Sequence, residues 1–283
     1  MTKLTKIMSA SAMIAVSCLV SSCATKAKVT VPTAPELTAA EAALVEKVYK
    51  SYKSVTKEDF ESIKRVAETG NHKAMRCLAN MYASGIGTGK NQPKAHQWYE
   101  KMYQCGDSFG AYVLGTYYEL GHGVTKNYAK AYEWYSKVKE GQPYYKSSML
   151  RIAGLYRLGD SSLKKNQDES DEYTQIVREI ADDGDISTQA MLGIMFFKGG
   201  GGPAINKKEG VYWLERASDS GNKWAIESLL KIYYHGDGDK AFADLDKCFE
   251  LIKDNDVSME DFAKLFHGNR RKDAIDWYNK MKQ

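Results

Sequence analysis

Two stretches, YASGIGTGKNQPKAHQWY at 82–99 and YELGHGVTKNYAKAYEWY at 118–135, share one frame at identical spacing: tyrosine, Gly-x-Gly, then Ala-x-x-Trp-Tyr. The frame extends along the chain. Leu78, Leu114, Ile152, Leu192 and Leu229 follow one another at intervals of 36, 38, 40 and 37 residues. Four positions after each comes an aromatic (Tyr82, Tyr118, Tyr156, Phe196, Tyr233), and three later a glycine (Gly85, Gly121, Gly159, Gly199, Gly236). A fixed period of this length marks a stacked array of one supersecondary unit.

Each column has a physical role. A small residue four before each anchor (Ala74, Gly110, Ser148, Thr188, Ala225), the anchor and the aromatic lie at i, i+4 and i+8, one face of a helix. The following glycine ends that helix, because it reaches positive φ without a steric penalty. A second helix then presents Ala95, Ala131 or Gly210 three residues ahead of Trp98-Tyr99, Trp134-Tyr135 or Trp213-Leu214. The small residue allows close helix approach and the aromatic fills the wedge beside it. One hairpin cannot enclose its own apolar face, so neighbours must stack. The expected fold is therefore all-α, a right-handed α-solenoid of stacked antiparallel helix hairpins with about five recognisable repeats and capping helices.

The small-x-x-x-Leu-Gly-x-x-Tyr-x-x-Gly-x-Gly pattern with Ala-x-x-Trp-Tyr resembles the Sel-one-like repeat family, a tetratricopeptide-like group, over roughly residues 70–283. The frame weakens in the third repeat, where the loop lengthens and Ile176-Val177 replace Trp-Tyr. The fourth widens its loop (KGGGGPAINKKEG), and the fifth loses Trp-Tyr near Lys247-Cys248. Ala274, Trp277 and Tyr278 restore the second-helix frame in a terminal cap. The expected organisation is a capping helix pair at 37–70, a repeat solenoid at 71–257 and capping helices at 258–283, since end repeats meet water on one face.

The first residues bear on location. Lys3 and Lys6 precede an apolar run from Ile7 to Val20, too short and serine-interrupted for a spanning helix but suited to a secretory signal. Val20-Ser21-Ser22-Cys23 resembles the bacterial lipobox, which implies a signal peptide at 1–22 and a lipidated Cys23 as the first mature residue. An ordinary cleaved signal with an incidental cysteine is the alternative. With Ala24 next, the resemblance implies outer-membrane sorting in a Gram-negative host, facing the periplasm. Residues 23–36 read as a flexible tether of about 3.3 Å per extended residue.

Little in the chain carries chemistry. Of 283 residues, 27% are charged and the net charge is only +4, with no basic stripe, so nucleic acid is not an expected partner. Gly199–Gly202 lack the preceding strand and the Gly-Lys-Ser/Thr of a phosphate loop and read as an inter-helix connection. His72, His96, His122, His235 and His267 stand singly, without metal-ligand spacing, so no metal or cofactor is expected. No catalytic constellation stands out. Cys77 and Cys105 fall at neighbouring positions of one antiparallel hairpin. They would form either a disulfide worth about 3 kcal/mol or two buried thiols.

Positions minus two, plus two and plus five from each anchor cluster on one side of the first helices. By analogy with tetratricopeptide solenoids this is the concave groove. Its residues are Arg76, Asn80 and Ala83; Tyr112, Thr116 and Glu119; Leu150, Gly154 and Arg157; Ala190, Ile194 and Phe197; Glu227, Lys231 and Tyr234. Leu150, Ile194 and Phe197 would give it an apolar middle for a protein or peptide partner, unless curvature buries them. The expected function is a non-enzymatic, lipid-anchored envelope scaffold. The alternatives are a module that binds or processes peptidoglycan fragments and an exported effector or host-interaction protein.

Overall fold

Among the described residues, nine helices are started by the same device, an Asn or Asp whose side chain accepts from a backbone N–H of the first turn. Asn71, Asp107, Asp185 and Asn222 cap first helices of repeats, and Asn91, Asn127, Asn166, Asn206 and Asp244 cap second helices. Each such cap contributes about 1 kcal/mol, so helix register is written locally. The third repeat departs: its first helix follows Tyr144 at φ 68°, with no side-chain cap.

A computed structural model describes residues 37–52, 54–199 and 202–281. The signal, Cys23, the tether, and Gly200 and Gly201 of the glycine run lie outside the described residues. The helices are α1 (Ala39–Lys50), α2 (Lys57–Glu68), α3 (His72–Ser84), α4 (Gln92–Gln104), α5 (Ser108–Leu120), α6 (Tyr128–Tyr135) and α7 (Tyr145–Leu158). They continue with α8 (Gln167–Asp182), α9 (Ile186–Lys198), α10 (Lys207–Asp219), α11 (Lys223–His235), α12 (Leu245–Asp254), α13 (Met259–Lys264) and α14 (Asn269–Met281). Among the described residues there is no strand, and no helix is long and apolar enough to cross a membrane. Consecutive helices pack as hairpins that stack in chain order, as the repeat requires. The third repeat keeps its hairpin despite its weak frame, with Val177 fully buried at the second-helix position.

The columns pack as their chemistry predicts. Leu78, Leu114, Ile152, Leu192 and Leu229 are all buried, and of the following aromatics Tyr82, Phe196 and Tyr233 are buried while Tyr118 and Tyr156 are half-buried. Full burial of such a side chain contributes about 1.5 to 3 kcal/mol. The small column permits backbone contact: a Cβ on Gly110 would lie 2.3 Å from the Tyr99 carbonyl oxygen, so α5 sits directly on α4. The loop glycines split by conformation. Gly85, Gly121 and Gly236 end their helices in the left-handed region, whereas Gly159 and Gly199 combine positive φ with ψ of 160° and −154°.

Every hairpin of the five repeats is closed by one recurrent bond. The backbone N–H of the second-helix cap residue donates to the carbonyl of the column aromatic: Asn91 to Tyr82 (2.7 Å), Asn127 to Tyr118 (2.8 Å), Asn166 to Tyr156 (2.8 Å), Asn206 to Phe196 (2.9 Å) and Asp244 to Tyr233 (2.7 Å). Asparagine and aspartate thus serve twice, capping with the side chain and latching the loop with the main chain.

Candidate partner-binding face

The first helices α3, α5, α7, α9 and α11 place the minus-two, plus-two and plus-five positions in a row. Arg76, Asn80, Ala83, Tyr112, Thr116, Arg157, Ile194, Glu227, Lys231 and Tyr234 are half-buried. The expected apolar middle is not available. Leu150 is 0% and Phe197 2% exposed, so neither can anchor a partner, and Ile194 alone of the three keeps partial exposure. Glu119, Gly154 and Ala190 are buried too.

The cause is the loops, which vary most between repeats. The widened fourth loop lies over α7: a Cβ on Gly202 would be 3.3 Å from the Leu150 carbonyl oxygen, and the Gly202 carbonyl accepts from Arg157 Nε at 3.0 Å. Phe197 is covered by Phe242 from the fifth loop, edge to face at 5.4 Å. Gly202 therefore lies against the α7 backbone and Met195 where a side chain would clash.

The N-terminal half of the face is a network of phenols, one guanidinium and one amide. Arg76 Nη1 donates to Tyr49 (3.1 Å) and Tyr144 (3.3 Å), and its guanidinium lies 3.7 Å from the Phe109 ring centroid. Tyr144 stacks on Tyr112 at 5.1 Å. Asn80 Nδ2 donates to Tyr52 at 2.8 Å, and Asn80 Oδ1 accepts from Tyr99 at 2.5 Å. One repeat on, Tyr135 Oη lies 3.1 Å from Thr116 Oγ1 and donates to buried Glu119 at 2.6 Å, while Arg151 pairs with Glu119 at 3.3 Å. Burial pushes the Tyr52 phenol up to about 12 and raises those of Tyr99 and Tyr135 as well, so these hydroxyls stay protonated and neutral at any physiological pH.

The C-terminal half differs. Among the described residues Glu227 and Lys231 have neither a hydrogen-bond nor an ion-pair partner through their side chains, and Tyr234 packs against Phe262, Phe266 and Trp277. Two charges one helical turn apart thus remain free for a partner.

Tyr49, Tyr52, Tyr144 and Arg151 were not singled out by the sequence pattern, and Tyr99 and Tyr135 were singled out only as packing residues of the Trp-Tyr pair. The Tyr of Trp-Tyr recurs at 99 and 135, and each reaches the plus-two residue of its own repeat; that pairing is the signal in the sequence. The histidines do not converge: His72 faces Asp107 at 3.6 Å, His235 Nδ1 accepts from Asp237 N–H at 3.1 Å, and His267 is exposed. Among the described residues no group of three or more His, Cys, Asp or Glu is placed to hold a metal ion. The disulfide expectation is corrected: Cys77 and Cys105 are free thiols. Cys77 is buried on α3 in contact with Tyr52, while Cys105 caps the end of α4 and is exposed, so the two sulfurs occupy different environments.

Several known proteins are similar to this chain. The family model of the Sel1 repeat matches residues 72–107, 108–138, 186–222 and 231–253. The crystal structure of a Sel1 repeat protein from Oxalobacter formigenes is 26% identical, covering 76% of this chain and 87% of that one, with a TM-score of 0.50. A protective antigen of uropathogenic Escherichia coli with the same type of fold is 19% identical, covering 85% of this chain and 53% of that one, with a TM-score of 0.44. A Rhizobium meliloti (strain 1021) protein described as an exopolysaccharide production negative regulator is 25% identical over 179 residues, 63% of this chain; the match spans only 56% of that relative. The third hairpin, α7–α8, falls between matched stretches yet keeps the anchor, the aromatic and the latch of its neighbours. The chain carries four Sel1 repeats, and these and the divergent hairpin between them follow one frame.

Proposed function

We propose that this chain is a non-enzymatic scaffold of the cell envelope, anchored by a lipid on Cys23, that binds a protein or peptide partner along the first-helix face. Sel1 repeats form a protein-interaction fold, which supports the binding part of the reading. The observation that carries it is the row of half-exposed polar and aromatic side chains at equivalent positions of successive repeats, ending in the unpaired Glu227 and Lys231. A rigid row of this kind recognises an extended or helical segment by polar complementarity, since Leu150 and Phe197 are not accessible as anchors. The partner would present alternating charge opposite Lys231 and Glu227. The description of the Rhizobium relative as a negative regulator favours an adaptor that controls other proteins.

Photo-cross-linkers placed at Lys231 and Thr116 and, as a control, at exposed Glu133 of α6 test the face in cells. The reading requires a discrete partner from the first two sites; labelling equal at all three sites defeats it. The anchor is tested separately by palmitate labelling of wild type and Cys23→Ala, where equal incorporation refutes lipidation. Muropeptide binding that survives charge reversal on the face would instead support a peptidoglycan-fragment module.

A further inference from the structure

Four of the five hairpin loops, those of the first, second, third and fifth repeats, do a second job: each docks at the start of the second helix of the preceding hairpin. A Cβ on Gly87, in loop 85–91, would lie 2.9 Å from the Thr56 carbonyl and 3.0 Å from Phe60 of α2. Gly123 makes the same approach to Gln92 of α4. In the third repeat Asp160 Oδ2 and Ser162 Oγ accept from the N–H groups of Tyr128 and Ala129 at the start of α6, at 2.9 and 3.0 Å. In the fifth, Asp239 pairs with Lys207 of α10 at 2.9 Å. Ile86, Val124 and Leu163 of these loops pack onto the core as plugs.

The last hairpin, α13–α14, repeats the anchor and aromatic as Phe262 and Phe266, both buried, but only residues 265–268 join its helices. It has neither a Gly-x-Gly loop nor, among the described residues, the recurrent latch. Among the described residues no such loop covers the start of α12, and Leu245 there is 45% exposed. At that place is an open notch of about 310 Å³ lined by Tyr234, His235, Leu245, Arg270, Asp273 and Trp277. Tyr234 and Trp277, with ring centroids 5.4 Å apart, form an apolar wall. Arg270 and Asp273, which have no ion-pair partner among the described residues, put one charge of each sign in the lining.

We propose that this notch receives a loop of a partner protein that carries a carboxylate shortly before an aliphatic residue, with a basic residue after it. The occupant is inferred from the third repeat, where Asp160, Ser162 and Leu163 fill the equivalent position and the next residue, Lys164, is exposed beside it. The two lining charges, Arg270 and Asp273, select the charged residues on either side of the aliphatic one. The carboxylate meets the Arg270 guanidinium, the aliphatic side chain enters between Leu245 and Trp277, and the basic residue meets Asp273. A second copy of this chain cannot supply residues 160–164 without opening its own third repeat.

The inference rests on the reading of the chain as a partner-binding solenoid, yet it names a surface that shares only Tyr234 with the first-helix face. The test titrates the full chain with the end-capped peptide of residues 159–166, GDSSLKKN, following the Trp277 indole by NMR. Saturable binding is expected, weakened about tenfold or more by Leu245→Asp, by Arg270→Glu or by Ala in place of the peptide leucine, with the thermal melt unchanged. Leu245 and Arg270 are exposed, so both variants are expected to fold. No binding at millimolar peptide overturns the proposal, as does binding indifferent to these changes, or self-association of the chain that Leu245→Asp abolishes. If Lys231→Glu removes a cellular cross-link that Leu245→Asp leaves intact, the notch fails while the first-helix face stands.

Discussion

Tyr135 donates a hydrogen bond to Glu119 at 2.6 Å from the second helix of its repeat to the first, and it does so around a carboxylate that is only 6% exposed. Arg151 of the next repeat holds the other carboxylate oxygen at 3.3 Å. A buried charge is tolerable only when such partners replace water. Tyr135→Phe removes the donor and keeps the ring, so it leaves Glu119 undersatisfied and is expected to destabilise the fold by about 1 to 3 kcal/mol. Urea denaturation of Tyr135→Phe, Glu119→Gln and the double variant measures this; additive effects would show that the two groups are not coupled.

Gly110 gives a sharper steric expectation. An added methyl there meets main-chain atoms, the Tyr99 carbonyl oxygen at 2.3 Å and the Tyr103 nitrogen at 2.7 Å, and backbone cannot swing aside as a side chain can. Gly110→Ala should therefore destabilise by about 1 to 3 kcal/mol, although alanine favours helix. Gly70→Ala is the control: a Cβ there meets nothing within 4 Å, and only its φ of 94° is at stake. If the two lose equal stability by chemical denaturation, close packing is not the reason for glycine at 110.

The repeat frame made the solenoid legible because its columns are dictated locally: a cap, an anchor, an aromatic and a helix-ending residue each leave a mark within one hairpin. The candidate face was legible in position and not in chemistry. Helical geometry puts Phe197 and Leu150 in the row with Arg76 and Lys231. Whether a residue of that row meets solvent depends on loops from a neighbouring repeat, Gly202 over Leu150 and Phe242 over Phe197. Those contacts join segments tens of residues apart and follow no period. Cys77 and Cys105 failed for a related reason: adjacency in an ideal hairpin does not set the direction of a side chain at a helix end.

His96 should make stability fall in mild acid. Its Nε2 is buried without a hydrogen-bond partner, its ring packs edge-on to Tyr117 and Tyr118, and burial holds its pKa below the usual value despite Glu100 nearby. The unfolded chain then binds the proton first, so stability is complete above about pH 6.5 and declines as pH drops toward the lower folded value. Melts between pH 7.5 and 5.5 should show a smaller decline for His96→Gln than for wild type; parallel curves would remove His96 from the explanation.

The thiols should separate by reactivity. Burial pushes Cys77 up to about 11 and Cys248 to about 12, and both are fully shielded, whereas Cys105 is exposed at the end of α4. Alkylation at neutral pH with peptide mapping should label Cys105 within minutes, and the other two only on unfolding, because the thiolate is the nucleophile. Labelling of Cys77 at the rate of Cys105 in the folded chain would mean that α3 opens there readily.

Phe197 and Lys231 lie five residues after one anchor and two after the next, and substitutions at them should have opposite meanings. Phe197 is 2% exposed against Phe242, so Phe197→Asp removes a core ring and buries a carboxylate with no partner supplied. Loss of the ring alone costs about 3 to 5 kcal/mol, and any partner lost with it reports unfolding. Lys231 has no ionic or hydrogen-bonded partner through its side chain among the described residues, so Lys231→Glu should leave stability within about 0.5 kcal/mol. A partner held by the first-helix face should nevertheless be released by that reversal and regained when Glu227→Lys restores one charge of each sign in swapped order, if the contact reads charge without fixed polarity. Capture that fails with both orders present, in proteins that melt as wild type, would mean instead that the face reads the direction of the charge pair, and so the orientation of the segment bound along it.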